Sequence, residues 1–259
     1  MSKYVLAVIV LLTATIGQLR VSHPGVFWET RESVIERLQY VPPAKVTAQK
    51  MSEYLFHRHG ADRLAKRDVH YPTDVLIIID SSKSVPERNF TQGLRALQEL
   101  VFRFPTDTNF AAITYSTDAQ VNFQFVSATK ALDQLIQIQY NAGFTNTQAA
   151  LRKARKMFLS RKSGIRWDAY KAVFILTDGQ SNIKKKQTLY RAQLLKQLGI
   201  TIYVMAVGER IQGITELAML ATSTSNHLYR VAEMDGFMGV ITTITRDQGY
   251  SGTPDITKM

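Results

Sequence analysis

Five consecutive apolar residues, Val75-Leu76-Ile77-Ile78-Ile79, stop at Asp80-Ser81-Ser82-Lys83-Ser84. A strand with one wet face alternates apolar and polar side chains, because successive side chains point to opposite faces. A run without alternation needs cover on both faces, which a parallel sheet between two helical layers provides. Residues 172–176 and 200–207 repeat the pattern. Residues 110–115 and 121–125 read as two strands joined by the turn Ser116-Thr117-Asp118, and residues 227–231 as a short edge strand. Between them, apolar residues recur at helical spacing. Phe90, Leu94, Leu97, Leu100 and Val101 follow Pro86, a residue suited to a helix start. Residues 131–138, 147–158, 188–198, 214–221 and 234–244 give the other helices, with Gly199 closing the third of these five. Alternating strands and helices impose right-handed crossovers. The expected fold is therefore α/β, a doubly wound, mostly parallel central sheet with helices on both faces. It occupies residues 73–248, followed by a tail at 249–259.

The preceding residues differ in character. Lys3, the apolar run 4–12 and the small residues up to Gly17 follow the order of a secretory signal peptide, expected at 1–17. That run is too short to span a bilayer, which takes about 20 apolar residues, and no later stretch is longer. The mature protein is therefore expected to be exported and without a membrane span. Residues 18–72 read as an N-terminal extension or propeptide. Ser33 to Glu36 has the form of a capping box opening a short helix, and a second helix is expected over 45–56. Lys66-Arg67 is either a processing site or a solvated pair in a linker. His57-Arg58-His59 lacks a third metal ligand and reads as exposed polar sequence.

Composition narrows the chemistry. The chain of 259 residues has no cysteine, which excludes disulfides, thiol catalysis and cysteine-ligated metals. Its formal net charge of +11 favours acidic partners. Arg152, Lys153, Arg155, Lys156, Arg161, Lys162 and Arg166 form one basic run, and Lys184-Lys185-Lys186 a second. These suit an anionic polysaccharide or an acidic matrix protein, or are simply solvated faces. Nucleic acid is not expected, since aromatic residues are not interleaved with the cations. No GxSxG, HExxH or Walker loop occurs, so no enzyme is expected. Asn89-Phe90-Thr91 is a glycosylation sequon.

Three polar segments remain: Asp80 to Ser84, Gly143-Phe144-Thr145-Asn146-Thr147, and Thr177-Asp178-Gly179. The first and third follow buried strands directly, and the second opens a helix. In an open parallel sheet, ligands bind beyond the carboxyl ends of the strands. The fold would thus bring Asp80, Ser82, Ser84, Thr145 and Asp178 to one crevice. Two carboxylates and three hydroxyls are hard oxygen donors, suited to Mg²⁺ first and to Mn²⁺ or Ca²⁺ as alternatives. Two carboxylates balance a divalent charge, and the remaining positions can exchange water for a carboxylate from a partner.

With these motifs, the sequence resembles a von Willebrand factor type A domain. DSSKS, PERNF, FTNTQAAL, VFILTDGQSN and ITIYVMAVGE occur in order, and the likeness covers roughly residues 73–247. The wording is most similar to the A domains of matrilins, fibril-associated collagens and related matrix proteins. The resemblance maps a metal-ion-dependent adhesion site onto Asp80, Ser82, Ser84, Thr145 and Asp178. It implies a secreted extracellular matrix protein that binds a partner's acidic side chain, collagen-like or other, through the cation. The alternative is a structural or biomineral-associated matrix protein that works through its basic surface. Three positions depart from the family pattern: Phe144 and Gln148 replace frequent glycines, and Lys83 puts a cation in the first loop. None of these removes a ligand.

Overall fold

A computed structural model describes residues 31–56 and 72–244. The proposed signal peptide, His57-Arg58-His59, Lys66-Arg67 and the tail at 249–259 lie outside the described residues. Two compact units divide the chain, Met1–Arg37 and Leu38–Met259. The described part of the first belongs to helix α1 (Arg31–Gln39). Because that helix is already running at Arg31, Ser33 lies inside it and does not cap it, contrary to the capping-box expectation.

In the second unit, six strands form one sheet in the order β3-β2-β1-β4-β5-β6. The strands are β1 (Thr73–Asp80), β2 (Asn109–Tyr115), β3 (Ala119–Ser127), β4 (Tyr170–Thr177), β5 (Thr201–Val207) and β6 (Leu228–Val231). All neighbours are parallel except β2 and β3, whose three-residue turn is too short for a crossover. All eight residues of β1 are buried. In register, Ile77 lies between Ala112 and Phe174. The chain winds outward from β1 in one direction and from β4 in the other, so the strand order switches between these two strands. A doubly wound sheet opens its ligand crevice at that point.

Helices α3 (Glu87–Arg103), α4 (Ala128–Leu135) and α9 (Met234–Thr243) cover one face. Their core includes Ile77, Leu97, Phe174 and Phe237, the two rings stacked at 6.1 Å. By strand alternation, Leu76 and Ile78 face the opposite layer. That layer holds α5 (Thr147–Phe158), α6 (Lys185–Gln197) and α7 (Ile214–Leu220), with Leu151, Leu195 and Leu217 buried. A short helix, α8 (Thr224–His227), leads into β6. Helices α4 and α6 each begin three residues before their expected starts, because apolar periodicity marks the body of a helix better than its ends.

The sheet's β6 edge is covered from upstream. Helix α2 (Ala44–Met51), continued as a π-turn over Ser52–Phe56, packs on α9 and β6. It contributes Ala48, Met51 and Leu55 to the same core as α3 and α9. Polar contacts fasten this strap. The buried Arg230 donates from Nε to Leu38 O at 3.2 Å and from Nη1 to Ala206 O at 3.2 Å. Its Nη2 donates to Gln39 O and Glu209 O, each at 3.1 Å. Gln39 bonds Ile211 twice, Nε2 to the carbonyl at 2.8 Å and Oε1 from the amide at 2.9 Å. Lys50 Nζ donates to Leu228 O at 2.7 Å, and Tyr203 OH to Tyr54 O at 2.5 Å. Residues 38–56 therefore share the core of the domain that follows them.

Candidate metal centre

Asp80 ends β1, flanked by the last residues of both neighbouring strands. Its Oδ2 accepts from Thr177 Oγ1 at 2.7 Å on the β4 side and from Tyr115 OH at 3.0 Å on the β2 side. Its Oδ1 accepts from the Ser82 amide at 2.9 Å. Parallel register makes this possible, since three adjacent strands end at one level. Asp80 is 2% exposed, and burial pushes its carboxyl above the ordinary range, partly offset by the hydrogen bonds from Ser82, Thr177 and Tyr115.

The other oxygens extend from Asp80 as a string. Ser82 Oγ lies 3.0 Å from Ser84 Oγ, and Ser84 Oγ donates to Asp178 Oδ1 at 3.0 Å. Cis ligands around an octahedral ion with bonds of 2.0–2.1 Å are about 2.9–3.0 Å apart. Both oxygen spacings thus match one edge of such a shell, and the residues fit a hard divalent cation. Asp178 is half-buried; burial first, then the charge of Asp80, raises its carboxyl to about 6. Among the described residues, neither carboxylate forms an ion pair with a cationic side chain. No three carboxylates or imidazoles converge among the described residues, so a cation here would depend on hydroxyls for the rest of its shell. Ser84 is exposed, leaving one side of the group open to water.

Backbone bonds hold the three loops together. The Lys83 amide donates to Gly143 O at 2.8 Å, joining the first loop to the second. The Thr145 amide donates to Asn182 Oδ1 at 2.8 Å, and Thr145 O accepts from the amides of Asn182 at 2.9 Å and Ile183 at 3.2 Å. The second loop is thus joined to the third. Thr145 is brought to the crevice but shares no direct hydrogen bond with the other four; its hydroxyl accepts from Asn182 Nδ2 at 3.4 Å. Under the third loop, the buried Glu216 accepts from the amide and the hydroxyl of Ser181, both at 2.8 Å, fixing the loop on α7.

Tyr115, Asn182 and Glu216 escaped sequence reasoning as parts of this centre. Tyr115 is signalled only by ending the strand beside β1, which requires the strand order. Asn182 lies in the matched VFILTDGQSN segment, but its role depends on the second loop's position. Glu216 is in a helix 35 residues beyond Ser181, and no sequence signal connects them.

The remaining candidates are distributed as follows. Asn89 is half-buried in the first turn of α3, and the sequon's Thr91 Oγ1 donates to Glu87 O at 3.0 Å. On α5, Arg152 and Lys156 are exposed and Lys153 and Arg155 half-buried. Lys184, Lys185 and Lys186 are exposed at the start of α6, where Lys185 Nζ donates to Gln180 Oε1. Arg161 stacks over Trp167 at 5.8 Å, and Lys162 is exposed. Arg166 does not belong to the basic run: its guanidinium forms an ion pair at 2.6 Å with Asp74, whose side chain is 0% exposed. A buried carboxylate needs a partner, and Arg166 provides it.

Residues 74–243 match the von Willebrand factor type A domain family. Human integrin alpha-D is 29% identical over 176 residues, covering 62% of this chain and 15% of its own length. The human collagen alpha-1(XX) chain is 25% identical over 193 residues, covering 71% of this chain and 15% of its own. The chain thus spans only a small part of these relatives. Among solved structures, proximal thread matrix protein 1 from the mussel byssus, with its MIDAS motif occupied by zinc, gives a TM-score of 0.61 at 22% identity. That likeness covers 67% of this chain and 47% of the mussel chain. Manganese-loaded TRAP protein of Plasmodium vivax gives 0.54 at 20% identity, over 67% of this chain and 74% of its own. At these identities the two structures speak for the fold alone: a mostly parallel sheet between helical layers.

Proposed function

Because the chain belongs to the von Willebrand factor type A domain family, we propose that it is a secreted, non-enzymatic matrix protein that binds a protein partner through a divalent cation. The residues that would hold the cation are Asp80, Ser82, Ser84, Thr145 and Asp178. The observation carrying this reading is the string of oxygens from Ser82 through Ser84 to Asp178, at 3.0 Å intervals, beside the buried Asp80. A cation bound there, Mg²⁺ first among the hard ions, supplies positive charge with an exchangeable position for a partner's carboxylate. Asp80 and Asp178 supply the balancing charge. Thr177 and Tyr115 hold Asp80 in one orientation, and the Lys83–Gly143 and Thr145–Asn182 bonds hold the hydroxyl loops in place. Extracellular location is supported by the character of residues 1–17 and by relatives such as the collagen alpha-1(XX) chain.

Calorimetric titration of the full chain with Mg²⁺ and Mn²⁺ tests the reading. Heat is expected in the wild type and none with Asp178→Ala; equal heats in both would exclude the assigned site. Retention of a collagen-like or other acidic matrix protein on the immobilised chain is expected to disappear with EDTA. The second reading, binding of acidic polymers through the basic surface, is favoured by the exposed Lys184, Lys185 and Lys186. Binding of that kind would survive EDTA and fall steeply with salt.

A further inference from the structure

One large apolar side chain stands exposed on the second loop, at the rim of the crevice. Phe144 is 64% exposed. A lone exposed aromatic is ordinary on a protein surface, but this one is held in an unusual way. It directly precedes Thr145, and its amide donates to Thr117 Oγ1 at 3.1 Å. Bonds on both sides pin the loop: Gly143 O accepts from the Lys83 amide, and the Thr145 amide donates to Asn182. A Cβ added at Gly143 would lie 2.6 Å from Thr117 Oγ1, so the loop already sits hard against its neighbour. Every residue from 145 to 151 is buried, so Phe144 is the last exposed residue of a loop that opens with the exposed Asn141 and Ala142. An aromatic side chain on a rigid loop offers apolar area to a partner at little entropic cost.

Charge defines the rest of the partner. Exposed cations at this end of the sheet include Lys83, Lys184, Lys185, Lys186 and Arg210, against the exposed acids Glu87, Asp118, Glu209 and Glu233, so the first and third loops are where positive charge concentrates. Lys184 and Lys186 lie at the start of α6, where the helix dipole is itself positive. Lys184 also adopts φ 49°, a left-handed conformation costly for a lysine. Local stability alone would not favour lysines there; an acidic partner would.

We propose, building on the cation reading above, that the crevice selects a protein segment in which the cation-binding Glu or Asp adjoins a large apolar residue that packs on Phe144, within an otherwise acidic stretch. Phe144 is then the specificity-determining residue and the lysines are the steering charges.

The test applies the full chain, with Mn²⁺, to a synthetic peptide array. Each peptide has one central Glu in a Gly/Ser/Asp background, and each flanking position is scanned with Leu, Phe and Gly. The wild type is expected to prefer an apolar flank on the order of tenfold. Phe144→Ser is expected to lose that preference, with unchanged binding to Gly-flanked peptides and unchanged calorimetric cation affinity. No flank preference in the wild type, or the same preference in Phe144→Ser, would overturn the proposal while leaving cation-dependent binding intact. Absence of cation heat, or peptide binding that survives EDTA, would instead overturn the underlying cation reading, and this inference with it.

Discussion

The crevice at the carboxyl ends of β1 and β4 and the strap along β6 solve the same problem in opposite ways. Each buries charge. At the strap, the Arg230 guanidinium is surrounded by four carbonyl oxygens of the chain itself, from Leu38, Gln39, Ala206 and Glu209. At the crevice, Asp80 and Asp178 lie close together, and neither is paired with a cationic side chain among the described residues. The first arrangement is internally complete and therefore structural. The second carries uncompensated negative charge at an open surface, and so favours a cation from outside. Buried polar groups rigidify a fold when fully satisfied and mark function when they are not.

The largest expected effect breaks the strap. A chain beginning at Asp68, after Lys66-Arg67, loses the cover of Met51 and Leu55 and leaves Arg230 without two of its acceptors. The loss is expected to be about 5 kcal/mol or more, comparable to the whole stability of many domains. Urea unfolding should show a collapsed or absent transition. A midpoint equal to that of the full chain would make residues 38–56 a dispensable appendage.

A point substitution in the crevice should do the reverse. Asp178→Asn is expected to weaken cation binding roughly 100-fold or more, measured by calorimetry. In EDTA at neutral pH, however, it should stabilise the protein, on the order of 1–2 kcal/mol, because it removes a carboxylate that burial and Asp80 disfavour. Destabilisation by Asp178→Asn under those conditions would contradict the contrast drawn between the two regions.

The pH dependence follows the same sign. Asp178 titrates near 6 in the folded chain, against an ordinary 3.8. A raised carboxyl contributes stability below about pH 4 that is lost as pH rises through about 6. This one group should therefore make the cation-free protein lose stability across that window, an effect that Asp178→Asn abolishes. Cation affinity should move oppositely, falling as pH drops below about 6, because the proton competes with the metal. Calorimetry at pH 5 and pH 7.5 measures it, and equal affinities would show that Asp178 does not titrate on binding.

The smallest effect belongs to Lys83. It is exposed, so its repulsion of a cation is screened. Lys83→Ala should raise cation affinity about twofold. A tenfold gain would mean that the ammonium itself reaches the carboxylates and competes with the cation for them.

Much of the crevice was legible in the sequence because its parts are local. Asp80, Ser82 and Ser84 follow one buried strand, and Asp178 follows another, so the rule that ligands bind at strand ends assembles them without coordinates. Phe144 and Lys83 were visible as departures from the family pattern, but their exposure was not. The β2–β3 hairpin followed from its short turn. Arg166 was misread as part of a basic surface, because a run of charges in sequence carries no information about which member meets a buried Asp74. The strap was missed as part of the core for a related reason. Ala48, Met51 and Leu55 give a short helix with an apolar side, a pattern that does not identify the surface it packs on.

By itself, then, the sequence determined the layered α/β fold, the ends of its strands and the residue types gathered there. Unbroken β-branched runs need cover on both faces, and strands alternating with helices leave few ways to provide it. Tertiary structure alone decided which neighbours hold Asp80, how Asn182 ties Thr145 to the third loop, and that residues 38–56 close the β6 edge. These contacts join residues up to 192 positions apart. Only the folded chain brings such partners within hydrogen-bonding reach, since the entropy of closing long loops must be met by the packing of the whole core.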